Sequence, residues 1–233
     1  AGHTAASETQ ILPCASVPKA YFSLALPVVL SMIVSLVYNM VDTWFIAKTQ
    51  NTALIAGVSL CAPVFTMMIA LGDIMGLGGS SVISRLFGQR MNLQARQLSS
   101  FCHFASILLG VLAGIIMLVF RSPLLALLGA DPETFTYASS YYSILALGAP
   151  AIVFSLAPSN LMRTEAAATQ SMAGSVLGAV VNMILDPVFI FVLGYGAAGA
   201  AIATVIGYLC SDAYFIWYLR HRSSQLSIRP QDF

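Results

Sequence analysis

Six stretches of twenty or more residues, nearly all apolar, follow one another along this chain with short polar breaks between them, at residues 21–47, 54–84, 98–120, 135–162, 166–193 and 198–219. A run of that length crosses the ~30 Å hydrocarbon core of a bilayer as a helix. Lipid admits only spanning structures that close their own backbone hydrogen bonds. Barrel strands are excluded, because they alternate in polarity over ~10 residues. Charged residues make up 8% of the chain, against roughly 25% in an average soluble domain, too few to cover a soluble surface. The expected fold class is all-α, a polytopic membrane protein with six transmembrane helices.

The breaks are short enough that the six helices form one bundle without a separate soluble domain. The expected division is a polar tail at 1–18, the six-helix transmembrane lobe at 19–220, and a segment at 221–233 that is a cytoplasmic tail or the start of a linker. A basic connection is expected at 85–96. Arg121, Ser122 and Pro123 end the third span, residues 124–128 continue as a short interfacial helix, and Gly129 to Glu133 read as a turn. Pro150 and Pro158 are expected to interrupt the fourth span. The tail at 1–18 lacks the ordered basic, apolar and small-residue regions of a signal peptide. A net charge of +1 gives no basis for a nucleic-acid partner. Cys14, Cys61, Cys102 and Cys210 are far apart, without metal-ligand spacing, and read as free thiols.

Basic residues set the orientation. Lys19, Arg85, Arg90, Arg96, Arg163, Arg220, Arg222 and Arg229 fall in connections on one side, and only Lys48 and Arg121 on the other. Both termini are therefore expected in the cytoplasm, in a cell membrane.

Between Arg163 and Arg220 the only charged side chains are Glu165, Asp186 and Asp212. A carboxylate at mid-helix costs roughly 2.5–3.5 kcal/mol on insertion scales, so it usually faces a bundle interior or a wet cavity. Asn182 and Asp186 are four apart and Asn39 and Asp42 three apart, so each pair lies on one helix face. A carboxylate beside an amide can hold a proton or bind a cation through oxygen. The plainer reading is interhelical glue, which suits the amides better than the carboxylates. Pro187 removes a ladder hydrogen bond and frees a carbonyl one turn earlier. Small residues from Ala197 to Gly207 read first as close helix packing. Thr204, four residues after Ala200, can add a hydroxyl, and Tyr208 and Asp212 continue that face. Asp212, near the cytoplasmic end, is expected to be solvated, and Asp73 is divided between packing and function. An intramembrane hydrolase built from Ser80 or Ser81 and His103 is disfavoured, because small-residue packing explains the segment without chemistry. No enzyme is expected.

Several of these segments together resemble the multidrug and toxic compound extrusion (MATE) transporters. They are Leu26-Pro27 with Asn39-Met-Val-Asp42-Thr-Trp-Phe-Ile, Gly76 and Gly79 with Ser84-Arg85-Leu-Phe-Gly88, Asn160-Leu-Met-Arg163, Asn182-Met-Ile-Leu-Asp186-Pro187, and Gly196-Ala-Ala-Gly199-Ala-Ala-Ile-Ala-Thr204. The resemblance covers residues 21–219. It implies one six-helix lobe, the N-terminal one, of a twelve-helix transporter that exports cationic amphiphilic compounds by antiport with H⁺ or Na⁺. It implies an ion-coupling set of Asp42, Asn182, Asp186 and Thr204, which would also be the metal ligands if the ion is Na⁺. The backbone carbonyl of Ala200 joins the set and Asn160 lies in the surrounding hydrogen-bond network. Pro27 and Pro187 are the helix-bending positions. No cofactor is implied beyond the coupling ion. The partners are small cationic substrates, the lipid bilayer and a second six-helix lobe, in the same full-length chain or as a dimer partner. The absent initiator Met and the polar ending are read as those of a fragment, a half-size protein being the alternative. The connection after Arg163 carries alanine where the family usually has glycine.

Asp42 and Asp186 are expected to take up and release the ion in alternation, with drug held in a cavity of Met, Phe and Tyr side chains from both lobes. Asp42 near the outer end of span one, Asp186 past the middle of span five and Thr204 early in span six agree in depth. Two other readings were weighed. A flippase for lipid-linked saccharides calls for basic residues inside the cavity, and the spans contain none. A non-transporting membrane scaffold subunit calls for no ion response.

Overall fold

A computed structural model describes residues 17–232. The expected tail at 1–18 therefore lies outside the described residues except for Val17 and Pro18, which already belong to the first helix. The helices are α1 (Val17–Lys48), α2 (Thr52–Leu60), α3 (Ala62–Gly88), α4 (Asn92–Val119), α5 (Arg121–Leu127), α6 (Phe135–Leu161), α7 (Ala168–Pro187) and α8 (Gly196–His221). Among the described residues there is no strand, and six helical segments, α2 and α3 counting as one, are long and apolar enough to cross a membrane.

Two expected breaks are helical. The helix α3 runs on to Gly88 and α4 starts at Asn92, so the basic connection shrinks to residues 89–91. Arg90 takes a left-handed φ of 59° there, and Met91 N–H closes on the Leu86 carbonyl at 2.9 Å. Arg85 and Arg96 thus sit on helix ends, where long basic side chains reach the interface. In α6, Pro150 and Pro158 lie inside one continuous helix. The second span does break, at Cys61. There the turn tightens to a 3₁₀-type bond from Cys61 N–H to Val58 C=O at 3.0 Å, and Pro63 starts α3.

The hub is α6. Its apolar window is 67% buried, against 11% for α1. It packs on α3, α4 and α8, while α7 packs on α8 and carries α1. Close approach has a sequence cause. A Cβ at Gly110 would meet Pro150 Cα at 2.6 Å, and one at Gly207 would meet the Gly178 carbonyl at 2.7 Å. These glycines let α4 sit on α6 and α8 on α7 nearly backbone to backbone. Much of the remaining apolar surface is exposed, along α1 especially, as expected of a surface facing lipid or another apolar element.

Between α4 and α6, Asp131 turns the chain. Its carboxylate accepts from the Thr134 amide and hydroxyl at 2.9 Å each, and these bonds hold it below the usual carboxylate range. The segment after α8, expected as a tail, folds back onto the bundle. The Ser227 carbonyl accepts from Ser99 Oγ at 3.2 Å, the Arg229 carbonyl accepts from Ser100 Oγ at 2.9 Å, and Ser223 Oγ donates to Glu165 at 2.9 Å.

The alanine-bearing connection after Arg163 forms a 3₁₀ turn, Met162–Glu165, closed by Ala166 at φ 61°, ψ 21°. A side chain in that left-handed region costs about 1–2 kcal/mol. Ala166→Gly is expected to raise thermal stability by up to about 1 kcal/mol, net of the flexibility glycine adds to the unfolded chain. A melting curve checks it.

Candidate functional site: a carboxyl pair above a serine-lined cavity

Two ends of the bundle serve as reference: the basic end, holding Arg85, Arg163 and Arg220, and the far end, holding Lys48 and Arg121. Asp42 lies near the far end of α1, and Asp186 is the next-to-last residue of α7. Beyond Pro187 the helix does not stop but widens into a π turn, Val188–Val192, closed by Leu193 N–H on Val188 C=O at 2.9 Å. The missing proline N–H frees the Met183 carbonyl one turn earlier, and π turns of this kind often mark functional sites. Pro27, by contrast, lies within a continuous α1.

The packing of α1 on α7 brings the two carboxyl groups into a side-chain hydrogen bond with each other. Two carboxyls can share such a bond only with one proton between them. Asp186 is fully buried, and Asn182, one turn before it, is 3% exposed. The Asn182 amide that satisfies both neighbours donates to the Asp186 oxygens at 3.0 and 3.2 Å and accepts from Thr204 Oγ1 at 3.1 Å. The Thr204 hydroxyl, with one hydrogen to give, has the Ala200 carbonyl at 3.0 Å as its alternative acceptor. Asp42 Oδ1 is buried, and no amide, hydroxyl or basic group donates to it.

Five of the six residues expected at the ion site, Asp42, Asn182, Asp186, Thr204 and Ala200, therefore come together, and Asn160 does not. Its amide donates to Asp73 Oδ1 at 3.2 Å and to the Leu156 carbonyl at 2.9 Å, and accepts from Arg163 at 3.1 Å. It joins Asp73 to Arg163, with Gly76 leaving room: a Cβ there would lie 2.7 Å from the Asn160 amide nitrogen. The neighbouring Ser159 faces the cavity instead. Asn39, expected beside Asp42, is exposed on the cavity wall. Three tyrosines complete the site. Tyr38 and Tyr141 lie within electrostatic reach of both carboxyls, and Tyr208 lies beside these two tyrosines. Tyr38 is one turn before Asp42, a spacing visible in the sequence. Tyr141 comes from α6 and left no local signal.

Between this group and Arg163 lies a cavity of about 550 Å³ walled by α1, α3, α6, α7 and α8. Met, Phe and Tyr side chains from both lobes are expected around the drug. Met32, Phe65, Tyr38 and Tyr208 are present, but serine dominates: Ser31, Ser35, Ser155, Ser159, Ser175 and Ser211. Arg163, just beyond the fourth expected span, lines it too, and the Asp73–Asn160 pair answers its charge. The cavity is wettable and leads from the basic end to Asn182 and Thr204. The hydrolase constellation does not assemble: Ser80 Oγ donates to Leu77 C=O at 2.9 Å, and the His103 ring lies 3.1 Å from the Ser227 carbonyl.

The six-helix fold recurs among known proteins. The MatE family profile matches residues 27–188. Multidrug export protein MepA of Staphylococcus haemolyticus (strain JCSC1435) is 31% identical over 212 residues, covering 91% of this chain and 47% of that protein. The solved structure of MATE in the bent conformation superposes with a TM-score of 0.88 at 32% identity, over 97% of this chain and 50% of that one. MATE in the straight conformation gives 0.85 at 33%, over 90% and 47%. The chain spans about half the length of the relatives it matches. With six membrane-crossing helices and a profile match over most of its length, the chain belongs to the MatE family of multi-pass membrane proteins.

Proposed function

We propose that this chain is the ion-coupling lobe of a multidrug exporter that expels cationic amphiphilic compounds in exchange for H⁺ or Na⁺. The observation that carries the reading is the pairing of the buried Asp42 and Asp186 carboxyls, with Asn182 and Thr204 bracing Asp186. That arrangement suits a proton. A sodium ion needs several oxygens, so taking one up would require the Asn182 amide to turn its oxygen toward the carboxyls. The serine cavity supplies a wet route to the pair. Losing the shared proton leaves two adjacent carboxylates in a dry setting, and the repulsion drives α1 away from α7. A cation in the cavity favours the same deprotonated state, so drug and ion oppose each other's binding, as exchange requires. The remaining six helices of the exporter would come from a second lobe, and both termini of this one would face the cytoplasm.

The test is transport in proteoliposomes by the protein expressed from its complete reading frame. An outward cation flux driven by an imposed H⁺ or Na⁺ gradient is expected. Flux that ignores both gradients contradicts the reading, and flux with one alone identifies the ion.

A further inference from the structure

A second cavity of about 550 Å³ lies across the α6–α8 seam from the first, among α4, α6, α8 and the returning segment at Ile228 and Pro230. Neighbouring residues divide between the two cavities. Ser155 and Ser211 line the serine cavity, whereas Phe154 and Asp212 line the second. Asp212, expected to be solvated, is 6% exposed. One hydrogen bond, from Ser155, reaches its carboxyl across the seam, and its Oδ1 is buried with no partner. The walls around it are otherwise carbon: Phe104, Ile107, Leu209 and Ile216, with Arg220 at the rim.

We propose that this cavity binds a lipophilic organic ammonium ion, its N–H groups on Asp212 and its apolar body between Phe104 and Phe154. A carboxylate in such a wall stays neutral or meets a cation. A metal ion is the wrong cation, because hard cations take about six oxygens and the cavity offers one carboxyl. An organic ammonium supplies the charge and N–H donors for the Asp212 carboxyl, and brings its own apolar surface. The aromatic faces add cation–π attraction of about 0.5–2 kcal/mol, and the volume falls in the roughly 300–1,000 Å³ range of small-molecule pockets. Ile107, Leu147 and Leu209 leave the cavity open to the apolar exterior, so a ligand can enter from the hydrocarbon phase. The site is separate from the Asp42–Asp186 pair and does not depend on its role.

The test uses the protein from its complete reading frame, with Leu209→Cys and Cys210→Ser as a reporter of this cavity and Leu36→Cys as one of the serine cavity. The probe is monodansylcadaverine, a flat aromatic with a primary ammonium. N-butyl dansylamide, its uncharged analogue, is the control. Saturating probe is expected to slow maleimide labelling at Leu209→Cys about tenfold by mass action, and the neutral analogue to do so much less. Asp212→Asn removes the protection at Leu209→Cys, Asp212→Glu keeps it, and protection at Leu36→Cys is indifferent to both. No protection in the protein that retains Asp212, equal protection by the neutral analogue, or protection that survives Asp212→Asn overturns the proposal.

Discussion

Asp186→Asn yields a protein that folds and no longer couples. The asparagine is nearly isosteric and its carbonyl still accepts from Asn182, which keeps one of the two bonds at 3.0 and 3.2 Å. One of the two ionisable groups of the pair is gone. Ion-driven efflux should fall about ten- to a hundredfold, the range of a typical coupling free energy of 1–3 kcal/mol, while the melting temperature changes little. Asp186→Ala differs in kind. It leaves the Asn182 amide and the Asp42 carboxyl without their shared partner in a buried site, at about 1–3 kcal/mol for each polar group stranded. Comparing the two variants in transport and in melting separates loss of the ionisable group from loss of structure. Transport by Asp186→Asn with unchanged ion dependence contradicts the proposed mechanism.

Gly207→Ala carries the second large effect. Its Cβ would sit 2.7 Å from the Gly178 carbonyl and 3.2 Å from Asn182 Cβ. The methyl group cannot be absorbed by a rotamer change, because one neighbour is backbone. The helices α7 and α8 must move apart, at about 1–3 kcal/mol for overpacking of this kind. The same shift lengthens the 3.1 Å contact between Asn182 and Thr204, so ion affinity should drop along with stability. Gly78→Ala is the internal comparison. Nothing lies within 4 Å of a Cβ at that position in α3, and helix propensity alone favours alanine by about 0.8–1 kcal/mol. A thermal melt of both variants checks the pair: one falls, the other holds or rises.

The six membrane-crossing helices could be read from the sequence because they rest on length and apolarity, which need no long-range contact. The pairing of Asn182 with Asp186 was equally legible, since a spacing of four fixes a shared helix face. Their meeting with Asp42 and Thr204 was implied by the family resemblance, and matching depth along three helices agreed with it. Azimuth was less readable. Ser159 and Asn160 are adjacent, and only the packing of α6 against α3 sends one into the cavity and the other to Asp73. Ser155 and Phe154, and Ser211 and Asp212, divide in the same way across the α6–α8 seam. A small buried hydroxyl gives no sequence signal of its own in a helix, so the serine lining could not be foreseen. Asp212 was placed by distance from the helix end, which says nothing about the segment that returns over α4 and buries that end. The connection at 85–96 was misjudged because its arginines resemble a loop, whereas Arg85 and Arg96 lie on helix ends.

The central claim is that the Asp42–Asp186 pair releases its ion when a cation enters the serine cavity. The direct measurement is proton release from the protein of the complete reading frame, in weakly buffered detergent solution, on mixing with tetraphenylphosphonium in the absence of sodium. A pH-indicator dye reads the change. About one proton per protein is expected at saturation, since one proton bridges the pair, and none from Asp42→Asn or Asp186→Asn. Release of the same amount by both variants, with the cation still bound, contradicts the account.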